Sequence, residues 1–459
     1  MEPENEHPTP KGSEALAPDA TQDPTVLSPG THELSWLHRI FIGDEGLRSG
    51  WVACAYIGLS LLICGAMAVI VLAMAPGLFH SLLQSLSILT SAAIVGAISI
   101  AISVAHGILR GVRAHGLQWI LNGAQGLRAG WSVVLFAILM FLFAAGAGFV
   151  LLKTHLLKQQ GHFSADQALF GEMTIFLGMV GAAAVVALIE RRKGNLLAFN
   201  LLGQRRVTHF FSGLAAGFLA LSALVGAMAW GGWLQFGPVA LTGAQIFKMG
   251  VLWGCAFLLV GCVEEGMFRC YLQFTLTRGI NFWWALGILA LICGDLLLRG
   301  KGNGIWGVYI IALLGLIPCL LLHVKKAESA GFWQAAWVTS TLFGFVHTGN
   351  NGENWIGIFA AAAIGFVFVV SIRVTGSAWW AIGCHAAWDW AETYFYGAID
   401  SGNVAVGHYL TVNPAGNALW SGGTDGPEGS VLVLAVILGL LGALVLIYGR
   451  RPPAVGPAS

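Results

Sequence analysis

The chain has 459 residues, of which 57% are hydrophobic and only 10% charged, and its formal net charge is +1. Soluble globular proteins carry about a quarter charged residues, so this chain has too few polar side chains to cover a water-facing surface, and we predict a polytopic membrane protein. A net charge near zero also argues against a nucleic-acid partner.

Residues 1–35 are rich in Pro, Glu, Thr and Asp and contain no apolar run. Such a segment cannot bury enough apolar surface to fold, so we predict a disordered cytoplasmic tail. It lacks the basic start and apolar core of a signal peptide. Residues 36–125 are predicted to form an N-terminal extension with interfacial segments and two membrane spans.

From residue 51 onward the sequence contains about twelve apolar stretches, each near the ~20 residues that a helix needs to cross a bilayer. The seventh and the ninth are the shortest. The predicted fold is an all-α polytopic membrane protein with about twelve transmembrane helices. The spans begin near Trp51, Ser81, Trp131, Ala168, Phe210, Ile246, Phe282, Ile305, Phe332, Trp355, Ser377 and Ser430.

Basic residues in the loops set the orientation, because cytoplasmic loops carry an excess of Lys and Arg. With the N-terminus inside, only Lys153, Lys158, Arg299 and Lys301 fall outside. The bias predicts that both termini are cytoplasmic, and we expect a bacterial plasma membrane. The polar loop 397–429, which has no Lys or Arg, is then extracytoplasmic. The basic residues on the inner side are Arg39, Arg48, Arg110, Arg113, Arg128, Arg191, Arg192, Lys193, Arg205, Arg206, Arg278, Lys325, Lys326, Arg373, Arg450 and Arg451.

A short repeat precedes two of the spans. The six residues 46–51 (GLRSGW) recur as 126–131 (GLRAGW). Arg can reach the headgroups and Trp favours the interface, so the two copies are either convergent membrane anchors or a duplicated approach segment. The two interpretations have equal weight, and neither carries catalysis.

Ionisable residues lie inside three of the later spans, where charge is costly and by default indicates function. Glu265 and Arg269 are four residues apart and therefore share a helical face, as do His385 and Asp389. Glu264 is rotated about 100° from its neighbour, which leaves it free to face elsewhere. The set consists of Glu264, Glu265, Arg269, His347, His385 and Asp389.

Three helices would bring these groups to overlapping depths, and such a set can hydrolyse a bond. A buried glutamate, helped by a histidine, can act as general base on water, while a second histidine stabilises an oxyanion. Alternatively Glu264, His347 and His385 could bind zinc and leave one position for water, although HExxH is absent. Each of these residues or residue pairs, taken alone, also has a purely structural interpretation, such as an ion pair between spans. Glu172, near the end of a span, is expected to reach outward to the headgroups.

The eight cysteines stand singly in apolar stretches and show no CxxC spacing. This pattern indicates neither a disulfide framework nor a thiolate zinc site. We expect them to behave as small buried hydrophobic residues.

At these residues the sequence resembles the CPBP family of intramembrane proteases, also called the CAAX-processing or Abi family. That family carries EExxxR, FxxxH and HxxxN or HxxxD on successive helices, which here are residues 264–269, 343–347 and 385–389. The resemblance implies that Glu264 and His347 activate water, that His385 and Asp389 steady the oxyanion, and that Arg269 holds Glu265. It also implies a site that opens toward the cytoplasm or the cytoplasmic leaflet. Whether a metal is required stays open.

The sequence departs from the family pattern in three places. Residues 282–326 look like an inserted pair of spans between the first and second motifs. Cys270 stands where the family commonly has Gly. Asp389 stands where the prenyl-protein branch has Asn, and an ionised Asp accepts hydrogen bonds but does not donate them.

These features predict a CPBP-like protease domain over residues 126–450, in the C-terminal two-thirds of the chain. Its motif core spans about 243–396, and residues 451–459 form a C-terminal tail. The predicted function is that of an intramembrane endopeptidase, which acts on a peptide or lipid-modified protein and contacts membrane lipid. Whether zinc is its cofactor stays open. The alternatives are a non-hydrolytic immunity or scaffold factor and a secondary transporter. The sequence makes no prediction of oligomeric state.

Overall fold

The computed structural model describes residues 129–154, 163–189, 199–299, 304–350 and 352–449, together with four two-residue strands nearer the N-terminus. The predictions for the tail 1–35, for the first two spans and for residues 451–459 lie outside the described residues. The proposed domain boundaries stay predictions.

The repeated sequence takes the same form in both copies. Strand β1 (Ile42–Gly43) pairs with β2 (Gly46–Leu47), and β3 (Asn122–Gly123) pairs with β4 (Gly126–Leu127), each as a minimal antiparallel hairpin. The Gly-Leu pair of the repeat therefore forms the second strand each time. The structural repeat reaches back to the glycine three positions before each copy and so begins before the six-residue sequence repeat.

Helices make up most of the described chain from residue 129 onward, as predicted for a membrane protein. Strand β5 (Leu234–Phe236) pairs with β6 (Val412–Pro414), and a short 3₁₀ turn occupies Pro427–Gly429. The helices are α1 (Ala129–Lys153), α2 (Ala165–Ile189), α3 (Arg206–Trp230), α4 (Ala244–Thr277), α5 (Phe282–Arg299), α6 (Ile305–Val324), α7 (Ala330–His347), α8 (Trp355–Thr375), α9 (Trp379–Asp389), α10 (Ala418–Ser421) and α11 (Leu432–Tyr448).

From the third predicted span onward, a helix begins close to each expected start, and the largest difference is Phe210 against Arg206. By length and apolar composition, five of the described helices could cross a membrane: α2, α3, α4, α6 and α8. The helical membrane architecture is thus confirmed for the described part. The total of about twelve spans stays a prediction.

Two helices change their winding directly after the predicted motif acids. Within α4, residues Gly266–Leu272 are π-helical, and α9 continues as a π-helix over Trp390–Tyr396. Such π segments are rare and occur frequently at functional sites because they redirect the following side chains. The helices of the first and third motifs thus each carry a π-helical segment beside the same set of residues.

Close backbone contact between α3 and α9 fixes the helix that carries the third motif. Gly213 and Gly217 form a GxxxG pair on α3, a spacing that lets membrane helices approach closely. A Cβ on Gly217 would lie 2.0 Å from the Cys384 carbonyl oxygen, and one on Gly383 would lie 2.3 Å from that of Phe210. Glycine is therefore required on both sides of this contact.

Helices α5 and α6, which correspond to the predicted insertion, pack against the outer side of α7. Their shared apolar cluster includes Leu289 and Cys319 from the pair and Val338 from α7. That the pair is an insertion stays a prediction.

The long loop after α9 is folded onto neighbouring elements at one end of the bundle. Val406 donates its N–H to the Phe163 carbonyl at 2.9 Å, and the Asn354 N–H donates to an Asp425 carboxylate oxygen at 3.1 Å. Asn354 in turn caps α8 through the Ile356 N–H. The loop is thus an ordered cover tied to the start of α8.

Replacing Gly217 with Ala should weaken the α3–α9 contact, because its new methyl group would overlap the Cys384 carbonyl. We expect a loss of about 1–3 kcal/mol in unfolding free energy, as for overpacking generally. Thermal unfolding of the purified protein in detergent measures this. Gly226→Ala on the same helix is the matched control, since nothing lies within 4 Å of its Cβ position. Equal midpoints for the two variants would contradict the assignment.

Candidate active site

The predicted pair of Glu265 and Arg269 is confirmed as a buried contact. Arg269 Nε lies 3.2 Å from Glu265 Oε2, and both side chains are 0% exposed. Asn200 donates its side-chain N–H to the Arg269 carbonyl at 2.9 Å, within the π-helical turn. A buried charge pair is stable only when each charge keeps its partner, so this contact fixes the turn that follows Glu264.

Aromatic rings surround the guanidinium of Arg269. Its Cζ lies 4.1 Å from the ring centroid of Phe343 and 5.4 Å from that of Phe368, within the range of cation–π attraction. A Cβ on Gly365 would lie 2.4 Å from Arg269 Nη2, so α8 needs glycine there to admit the cation. Phe343, the first residue of the second motif, therefore binds the arginine of the first motif.

His385, in the third motif, lies beside both glutamates of the first motif. Its Nδ1 donates to Glu265 Oε1 at 2.9 Å, which leaves Nε2 to face the other acids. Nε2 lies 3.7 Å from Glu264 Oε2 and 3.5 Å from Asp389 Oδ2. The predicted shared face of His385 and Asp389 is thus confirmed. Both Nε2 distances exceed those of typical direct hydrogen bonds, and at such separations a water molecule can bridge the groups.

The two adjacent glutamates have different surroundings, as the sequence predicted. Glu265 is fully buried and bridges Arg269 and His385, whereas the Glu264 side chain is 32% exposed. Glu264 faces a cavity of about 300 Å³. It is therefore the carboxylate of the pair that an incoming molecule can reach.

His347 ends α7 and lines the same cavity. Its Nδ1 lies 2.7 Å from the Phe343 carbonyl oxygen, and this contact requires Nδ1 to carry the hydrogen. The Nε2 atom of the neutral ring is then the basic one. The cavity thus brings His347 together with Glu264, His385 and Asp389, while Glu265 and Arg269 lie behind it.

Further polar residues that the sequence did not assign to the site also line the cavity. Glu172, expected to reach the headgroups, instead lies in the cavity wall on α2. The others come from the loops after α7 and α9, and no spacing pattern links such distant segments in sequence. They are Asn350, Asp400, Ser401 and Glu428.

The loop acids lie close to one another, with Asp425 fully buried and Asp400 and Glu428 partly buried. Burial raises the pKa of Asp400, and it raises the pKa of Asp425 to about 8. Burial, reinforced by nearby Asp400 and Asp389, raises the pKa of Glu428 well above its ordinary value. Glu428 accepts the Trp388 Nε1 hydrogen at 2.6 Å. The loop thus joins the third motif helix through a carboxyl group with increased affinity for a proton.

Two predictions about sidedness disagree at this cavity. The charge distribution places loop 397–429 outside the cell, whereas the family resemblance implies a site open toward the cytoplasm. Asp400, Ser401 and Glu428 of that loop line the cavity. The two predictions therefore cannot both hold for this end of the cavity, and the orientation of the termini stays a prediction.

The zinc ligand set of Glu264, His347 and His385 stays a prediction. Among the residues that the structure describes, no three His, Cys, Asp or Glu side chains are arranged to hold a metal ion. The Nδ1 atoms of His347 and His385 are both engaged in hydrogen bonds within the protein, which leaves Nε2 of each ring as the nitrogen that a ligand could use. Activity assays with and without metal decide whether a metal is required.

One protein-family model, described as Type II CAAX prenyl endopeptidase Rce1-like, matches residues 319–391. This range contains the second and third motifs and ends two residues after Asp389. The first motif, with Glu264, lies outside it. No curated protein and no solved structure is found to match the chain.

Removing only the cation of the buried pair should destabilise the fold more than removing both charges. Arg269→Met leaves Glu265 buried without its arginine, and we expect a loss of about 3–5 kcal/mol. Glu265→Gln combined with Arg269→Met should recover part of that loss. Thermal unfolding of wild type, both single variants and the double variant measures the coupling.

The control for this cycle is Lys325→Met, which removes an exposed cation. Its unfolding midpoint should match that of the wild type. Strictly additive effects of the two site substitutions would contradict a direct coupling between Glu265 and Arg269.

Proposed function

Because its Rce1-like segment and three motifs place this chain in the CPBP, or CAAX-processing, intramembrane protease family, we propose that it is an intramembrane endopeptidase. It hydrolyses a peptide bond of a membrane-associated or lipid-modified protein, and water is the nucleophile. The observation that carries the proposal is the position of Glu264. This partly exposed carboxylate faces the cavity 3.7 Å from His385 Nε2, while the neighbouring Glu265 binds the opposite nitrogen of that histidine.

In the proposed reaction Glu264 is the general base. It removes a proton from a water molecule held near His385 Nε2, and the resulting hydroxide attacks the substrate carbonyl carbon. The tetrahedral intermediate collapses as the C–N bond breaks. The proton held by Glu264 passes to the leaving amine, so the carboxylate is restored at the end of the cycle. His347, which also lines the cavity, is the second group able to exchange a proton there.

His385 carries the hydrogen-bonding part of the proposed mechanism. Glu265 accepts its Nδ1 hydrogen, and this contact favours the protonated ring, in which Nε2–H can donate to the developing oxyanion. When ionised, Asp389, 3.5 Å from Nε2, only accepts hydrogen bonds and therefore orients His385 rather than the oxyanion. This assignment accounts for an aspartate at a position where the prenyl-protein branch has asparagine.

The cavity walls suit an apolar substrate segment. Beside the polar groups they include Phe257, Val260, Ile364 and Ile437. A cavity of about 300 Å³ is at the lower end of the size range for small-ligand pockets, so it accommodates a few side chains rather than a folded domain. An extended or unwound segment of a membrane-associated protein meets this requirement.

Glu264→Gln should abolish cleavage while leaving the fold intact, because the amide cannot accept the proton of water. Loss of a general base lowers turnover by about 10²–10⁴-fold. The assay is hydrolysis of a degenerate synthetic peptide library by the protein reconstituted in phosphatidylcholine vesicles, with products identified by mass spectrometry. Glu328→Gln, an exposed acid in the α6–α7 connection, is the matched control and should retain full activity.

Full activity of the Glu264→Gln variant would overturn the catalytic assignment. A cellular phenotype that survives this substitution would favour the non-hydrolytic immunity or scaffold alternative. Proton- or sodium-coupled uptake that depends on Glu264 would instead favour a transporter.

Metal removal should leave activity unchanged under the proposed Glu/His mechanism, because its steps need only side chains and water. Activity is compared before and after chelation, with metal analysis of the same protein. Loss of activity on chelation and its return with zinc would contradict the metal-free mechanism and favour the set Glu264, His347 and His385.

A further inference from the structure

The described wall of the cavity carries an excess of acidic side chains. Five carboxyl groups contribute to its wall, and within the described chain no Lys or Arg does so. The only other ionisable groups in this lining are the two histidines of the motifs. The five acids come from α2, α4, α9 and the long loop after α9: Glu172, Glu264, Asp389, Asp400 and Glu428.

Four of these acids have other contacts. Glu264 and Asp389 flank His385, Asp400 accepts the Thr393 hydroxyl hydrogen at 2.6 Å, and Glu428 accepts from Trp388. Glu172 takes no part in these contacts. It lies one helical turn after Ala168, another wall residue, so this face of α2 is directed at the cavity.

This charge distribution bears on which peptide can enter. A CAAX-type substrate ends in a free carboxylate a few residues beyond the bond that is cut. In the described wall only the imidazole rings of His347 and His385 can offer that anion a cationic partner, and every ionised carboxyl group repels it. Burial favours the protonated form of these acids, and a cation placed beside one of them favours its ionised form. The same wall attracts a Lys or Arg side chain, whose apolar stem can lie along Phe257 and Val260.

We propose that the cavity selects a substrate segment with a Lys or Arg beside the scissile bond, and that this segment continues beyond the bond rather than ending in a nearby carboxylate. Glu172 is the residue that determines this specificity. The inference rests on the proposed endopeptidase function and adds the substrate class to it. Glu172 determines specificity rather than acting as the base, because no described hydrogen bond joins its carboxyl group to Glu264 or His385, and it acts on those two groups only through its charge.

The first test uses mass spectrometry to identify the bonds of the peptide library that the wild-type protein cleaves. Basic residues should be enriched about tenfold beside the cut bond, a preference equivalent to one favourable charge contact. Glu172→Gln should reduce this enrichment to about threefold or less while cleavage of uncharged sequences continues. Glu328→Gln is again the matched control and should keep the wild-type profile. Cut sites without basic enrichment, or clustered next to free C-terminal carboxylates, would overturn the proposal.

The second test needs no hydrolysis and separates the two proposals. A fluorescein-labelled apolar peptide is prepared with Lys, Gln or Glu at its centre, and with an amide or a free acid at its C-terminus. Binding to the Glu264→Gln variant, read by fluorescence anisotropy, should follow the order Lys, Gln, Glu, and the amide should bind more tightly than the acid. Adding Glu172→Gln should reduce the Lys-to-Glu ratio at least threefold.

Preferential binding of the Lys peptide without any cleavage by the wild type would refute the endopeptidase function and leave the specificity intact. Cleavage by the wild type together with equal binding of the three peptides would support the endopeptidase function and refute the proposed specificity. Equal ratios with and without Glu172→Gln would remove Glu172 from the specificity assignment.

Discussion

The buried contact between Glu265 and Arg269 holds the rest of the site in place. The arginine packs among Phe343 of α7 and Phe368 of α8, and glycine at position 365 leaves room for it. The glutamate uses its second oxygen to hold His385 of α9. One ion pair thus fixes the relative positions of four helices. The desolvation cost of two buried charges is offset only in this full arrangement, which makes the geometry specific.

Irregular helix winding provides the second constraint. The π-helical turn that begins at Gly266 directly follows the two glutamates, and another begins at Trp390 directly after Asp389. A π turn leaves backbone groups out of the regular hydrogen-bond ladder, and the Asn200 side chain binds one such carbonyl, that of Arg269. The second π segment is held by α4, since Trp390 donates to the Gly250 carbonyl at 2.9 Å. Helices α4 and α9 are therefore held together on both sides of the reacting groups.

Sequence periodicity was sufficient to predict the helices and the local pairs, because four-residue spacing places Glu265 beside Arg269 and His385 beside Asp389 whatever the surrounding fold. Contacts between distant segments could not be predicted in this way. Nothing in the sequence indicated that Phe343 would cover Arg269, or that Asp400 and Glu428 would reach the cavity from the loop. Its position near a span end predicts that Glu172 reaches the headgroups, yet the packing of α2 against α4 directs it inward. Burial of a charged group depends on tertiary neighbours, which a hydropathy pattern does not contain.

The predicted insertion of helices α5 and α6 would lengthen such a membrane protein without disturbing its chemistry. They stand between the first and second motifs in sequence, yet none of their residues lines the described cavity. Two antiparallel crossings return the chain to the face it left, so α7 still delivers His347 to the end of the bundle where Glu264 is accessible. One crossing would have inverted every later helix. The parity of added spans, rather than their length or composition, is what this active-site geometry constrains.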